Sequence, residues 1–130
     1  MIETLRTALA GDPRIAFAVL FGSTARGTAH GFSDVDVAIS LMRPRAFDSP
    51  AFGDLVSLLE SVTARTVHLV VLDDAPPGLA YRVFRDGTPI LINDRRRYAD
   101  RLARAILEYL DFKPIEEVFT RGVLQSRRGR

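Results

Sequence analysis

Cysteine and tryptophan are absent, and His30 and His68 are the only histidines among 130 residues. Without cysteine there is no disulfide, no thiolate-bound zinc, no iron–sulfur cluster and no thiol nucleophile. Two histidines are too few for a histidine-dominated metal centre. Long apolar runs are missing too; none approaches the ~18 residues that a membrane-spanning helix needs. The start of the chain, Met1-Ile2-Glu3-Thr4-Leu5-Arg6, lacks the basic stretch and apolar core of a signal peptide. The expectation is a cytoplasmic protein with no membrane contact.

What is present is the composition of a folded domain. Hydrophobic residues make up 47% and charged residues 26%, which argues against disorder. The length suits one domain with a sizeable core. Net charge is +2, unevenly placed: residues 1–94 carry −3 and residues 95–130 carry +5. A basic end often meets acidic partners, although a solvated helix face and a frayed tail account for it more simply. Seventeen of the eighteen basic residues are arginine, and codon composition alone can produce that bias.

Along the chain, Ile2, Leu5 and Leu9 have helical spacing, closed by Gly11-Asp12-Pro13. Residues 15–21 (IAFAVLF) form an apolar run of strand length, as expected of a strand buried on both faces. Val35, Val37 and Ile39 alternate with polar or small residues and predict a second strand. Phe52, Leu55, Val56, Leu59 and Val62 predict a helix, and residues 66–72 (TVHLVVL) a third strand. Pro76 and Pro77 can open a helix to about Phe84. Asp86-Gly87 turns into a short fourth strand, which Pro89 restricts to an edge or a strand start. Tyr98, Leu102, Ala105, Ile106, Tyr109 and Leu110 mark a long amphipathic helix, with an interruption expected at Pro114. Strands alternating with helices predict one α/β or α+β domain with a small mixed sheet. Residues 1–112 would form the domain, and residues 113–130 a helical extension with a basic tail.

The chemistry concentrates in Gly22-Ser23 and, ten residues later, Asp34-Val35-Asp36. Carboxylates at i and i+2 of a strand project from one face. Their repulsion is costly unless a cation lies between them. Hard oxygen donors suit Mg²⁺ or Mn²⁺, which complete their shells with water and substrate phosphates. Gly22 after a buried strand permits close backbone approach, and the following N–H groups with the Ser23 hydroxyl form an anion-binding corner. Arg26, in the same loop, adds charge for a phosphate. Gly22 and Gly27 have P-loop spacing, but Thr28 and Ala29 stand where that motif needs lysine and a hydroxyl, so a Walker-type NTPase is not expected. Ser23 also lacks the G-x-S-x-G surroundings of a hydrolase elbow.

Gly22-Ser23, ten residues, then Asp34-x-Asp36 resembles the minimal nucleotidyltransferases of the DNA-polymerase-β-like superfamily. The run over residues 19–39 (VLFGSTARGTAHGFSDVDVAI) resembles the MntA-like antitoxins within it. Similarity extends through residues 69–77 and 83–87, covering roughly residues 15–110. The resemblance implies a mixed sheet flanked by helices and Mg²⁺-dependent transfer of AMP from ATP. The implied acceptor is a tyrosine on a cognate HEPN-type toxin, so that the chain acts as antitoxin. Asp34 and Asp36 would hold the metal, and Gly22, Ser23 and Arg26 the nucleotide. The sequence departs from the family at one point: a third carboxylate is expected on the third strand, and His68 stands there. His68 is then the candidate base, being a poorer Mg²⁺ ligand but able to take a proton. Two rivals follow. One is an antitoxin of weak catalysis that neutralises its toxin by binding. The other is a transferase for a small molecule such as an aminoglycoside, which generally needs more chain than this. Nothing in the sequence calls for direct nucleic-acid binding, and the oligomeric state stays open.

Overall fold

The computed structural model describes residues 1–22 and 33–128, with side chains through residue 111. The elements in chain order are α1 (Ile2–Leu9), β1 (Ile15–Phe21), β2 (Val35–Leu41) and a 3-10 turn at Pro44–Ala46. Then come α2 (Ser49–Thr63), β3 (Val67–Val71), a second 3-10 turn at Leu72–Asp74, α3 (Pro77–Asp86), β4 (Thr88–Ile92) and α4 (Arg95–Arg128). The sheet order is β3-β2-β1-β4. β1 pairs antiparallel with both β2 and β4, whereas β3 runs parallel to β2. A parallel partner needs a crossover, and α2 supplies it.

β1 is central, and its first six residues are buried, as its unbroken apolar run predicts. β4 lies at an edge, which is where Pro89 can be accommodated without costing a ladder bond. The sheet is covered on both faces. On one side, Leu5 and Leu9 of α1 and Leu55 and Leu59 of α2 pack against Val35, Val37, Ile39, Val67 and Leu69. On the other, Phe17, Val19 and Ala38 meet Leu72, Ala80 and Val83, with Ala105 of α4. Phe17 is the pivot of this second layer, with ring centroids 5.9 Å from Phe84 and 5.0 Å from Tyr98.

Helix ends follow local chemistry. The Asp48 side chain accepts from Ala51 N at 2.9 Å and opens α2. Pro77 sits in the first turn of α3, where its missing N–H costs nothing. Asp94 accepts from Arg97 N at 3.0 Å and starts α4. At Gly87 an added Cβ would fall 2.4 Å from both the Val83 carbonyl and the Val19 side chain, so only glycine lets α3 close onto β1. One expectation is corrected: α4 runs through Pro114 as a continuous helix to Arg128. Proline removes the N–H that would bond the Leu110 carbonyl, but the turns on either side carry the helix past it. No helix among the described residues is long and apolar enough to cross a membrane.

Candidate nucleotide and metal site

Strand alternation sets the site. Val35, Val37, Ile39 and Leu41 point into the layer under α1 and α2. Asp34, Asp36, Ala38 and Ser40 therefore face the opposite side, where Ala38 packs in the second core layer. The same alternation on β3 buries Val67 and Leu69 and turns His68 to the face of the two aspartates. Parallel pairing then matters, because it aligns the starts of both strands and sets Asp36 opposite His68.

The three side chains meet. His68 Nε2 lies 3.2 Å from Asp34 Oδ2, and His68 Nδ1 lies 3.5 Å from Asp36 Oδ1. One imidazole thus spans two carboxylates. Asp34 is about half exposed (51%) and Asp36 less so (27%), so the pair opens to solvent at one side and is walled at the other. Solvent exposure keeps their mutual repulsion moderate, and a neutral imidazole can donate its one N–H to one of the two carboxylates.

Gly22 completes the described part. It follows Phe21, whose ladder partner is Asp36. Its φ is +73°, and an added Cβ would lie 2.2 Å from Asp36 Oδ2. The sequence assigns Gly22 to phosphate approach; the structure adds that its missing side chain makes room for the Asp36 carboxylate. The signal for this was the register of the β1–β2 hairpin, which the motif spacing alone does not contain. Ser23 and Arg26 lie outside the described residues, as does His30.

The donor set fits a hard divalent ion in one way only. Among the described residues no three His, Asp or Glu side chains converge to enclose a metal by themselves. Two carboxylates aimed at a common partner do match Mg²⁺ or Mn²⁺ when phosphate oxygens and water supply the remaining ligands. Asp73 and Asp74, at the far end of β3, do not join the site. Asp73 instead accepts from Ser40 Oγ at 3.2 Å and Leu41 N at 3.0 Å, tying the second 3-10 turn to β2.

The same architecture occurs in solved structures. A chain of a toxin–antitoxin complex crystallised with AMP-PNP superposes with a TM-score of 0.81 at 23% identity, covering 95% of this chain and 98% of that one. A chain of the MntA-HepT toxin–antitoxin complex gives 0.74 at 20% identity, over 95% and 96%. A third comes from the Shewanella oneidensis complex of a tri-AMPylated HEPN toxin with its MNT antitoxin, at 0.71 and 22% identity, over 95% and 92%. Comparison with curated proteins finds no match. The family profile described as "Polymerase beta, Nucleotidyltransferase" matches residues 3–96, which include the carboxylate pair, the glycine beside it and His68; the chain belongs to the polymerase beta nucleotidyltransferase family.

Proposed function

We propose that this chain is an antitoxin that transfers AMP from ATP to a tyrosine hydroxyl of a HEPN-type toxin. The observation that carries the reading is the close approach of Gly22 to Asp36, which brings the first residue of the proposed anion-binding corner to the carboxylate pair. The family membership and the AMP-PNP and tri-AMPylated complexes among its structural likenesses support it.

Asp34 and Asp36 would hold Mg²⁺ or Mn²⁺. The ion would supply charge neutralisation for a triphosphate. Gly22, with Ser23 and Arg26 beyond it, would orient the phosphates. His68, in contact with both aspartates, is placed to accept the phenolic proton. A new bond forms from the tyrosine oxygen to the α-phosphorus, the bond to the β-phosphate oxygen breaks, and pyrophosphate leaves. Positioning and charge compensation provide most of the acceleration in such a reaction.

Incubation with labelled ATP, Mg²⁺ and the cognate toxin should place label on the toxin. A preparation that binds toxin yet transfers no label would overturn the enzymatic reading. One observation favours a second reading, an antitoxin that acts by binding alone: the imidazole stands between the carboxylates where the family expects a third acid. Neutralisation that survives Asp34→Asn with Asp36→Asn would support it. A His68→Asp variant that gains transfer would show that His68 holds the wild-type site back.

A further inference from the structure

A second concentration of charge lies at the other end of the same strand face. Arg43 and Arg45 follow β2, while Arg97, Arg101 and Arg104 come from the first turns of α4. With Asp73 beside them they line an open cavity of about 530 Å³. Seven strand-like steps separate Asp36 from Arg43, roughly 20 Å at ~3.3 Å per residue, so this cavity is distinct from the aspartate site.

The five guanidinium groups face two carboxylates, a surplus of three positive charges in the lining. Those carboxylates compensate part of it. Asp73 accepts from Ser40 Oγ and Leu41 N and forms an ion pair with Arg101, whose Nε lies 3.8 Å from Oδ1. Arg101 also donates to the Leu72 carbonyl at 2.8 Å, and Arg104 pairs with Glu108. Arg43, Arg45 and Arg97 make no ion pair among the described residues. The Nε atoms of Arg97 and Arg101 are buried without a hydrogen-bond partner. Buried donors are nearly always satisfied in folded proteins, and like charges gather at a cost that a bound anion would offset.

We infer that this cavity binds a small phosphate-bearing anion, separately from the Asp34/Asp36 site. Guanidinium forks match phosphate oxygens in pairs. The lining consists of arginine, aspartate and proline, so it offers no aromatic surface on which a base could stack. Recognition therefore falls on the phosphoryl group, and charge density should rank the ligands.

The test is calorimetric titration of the full chain with inorganic phosphate, pyrophosphate and AMP, in EDTA, at about 0.05 M salt where screening is weak. Saturable uptake at about 1 mM or below is expected, tightest for pyrophosphate. Asp34→Asn with Asp36→Asn should leave it unchanged. Arg43→Gln with Arg45→Gln, both on the exposed turn, should weaken it about tenfold or more, and adding Arg97→Gln should weaken it further. Unchanged melting temperature of the double arginine variant separates lost binding from lost fold. No saturation by any of the three ligands overturns the inference. So does uptake abolished by the aspartate changes but not by the arginine changes, or uptake confined to a single-stranded RNA oligomer.

Discussion

Gly22 carries two burdens, a left-handed backbone and contact with the Asp36 carboxylate. Gly22→Ala should cost roughly 1–3 kcal/mol of stability from the backbone alone. The clash also moves Asp36, so Mg²⁺-dependent ATP affinity should fall more than stability does. Calorimetry of ATP binding alongside a melting curve separates the two; retained affinity would remove Gly22 from the site. Asp12 offers a cleaner electrostatic case. Arg14 donates to both its oxygens, and this hydrogen bonding holds its carboxyl below the usual aspartate range. The folded chain therefore binds a proton there less readily than the unfolded one. The resulting stability is fully present above the ordinary aspartate value near 4 and is lost as pH falls through the lowered one. Because Arg14 is half exposed, Asp12→Asn should cost only about 0.5–1 kcal/mol at pH 6. Urea midpoints of the two proteins should converge on acidification. Asp34 and Asp36 were singled out by residue identity and spacing, and His68 only by the position that the family resemblance gives it. The bridging of both acids by one imidazole was not, because it depends on a strand pairing between residues 32 positions apart.

Elements were legible where periodicity and punctuation agree. The apolar run 15–21 and the alternation from Val35 each became a strand with the expected buried face. Pro114 misled because a helix-breaking residue acts locally, while the turns on both sides decide whether the helix resumes. The end of α2 holds an improvement that composition does not reveal. Ala64 caps it in the left-handed region at φ 56°, a conformation that favours glycine. Ala64→Gly should stabilise by about 0.5–1 kcal/mol, the relief of side-chain strain exceeding the extra unfolded-chain entropy. That corresponds to a rise of about 2–4 °C in melting temperature. Phe17→Ala should act oppositely. Phe17 is fully buried against two rings contributed by α3 and α4. Its loss should cost about 3–5 kcal/mol in urea denaturation, a large share of the ~5–15 kcal/mol available to a domain.

At the level of the whole molecule, the sequence conveyed class and chemistry better than arrangement. A single α/β or α+β domain with a small mixed sheet followed from element order, but strand order and the direction of β3 did not. The arginine cavity was scattered over two segments more than fifty positions apart, Arg43/Arg45 and Arg97/Arg101/Arg104, and only folding brings them together. The parallel β2–β3 pair has a kinetic consequence. β1 and β2 can zip as neighbours across a short connection, yet His68 reaches Asp36 only after the intervening chain has wound into α2 and crossed the sheet. Distant pairings of this kind form late, since closing the loop costs entropy before any contact is gained. In refolding sampled by quenched flow, the proposed AMP transfer, which calls on His68 beside Asp36, should therefore return with the slowest phase, after most helical signal. Recovery of transfer in an earlier phase would mean that the carboxylate pair works without its third strand.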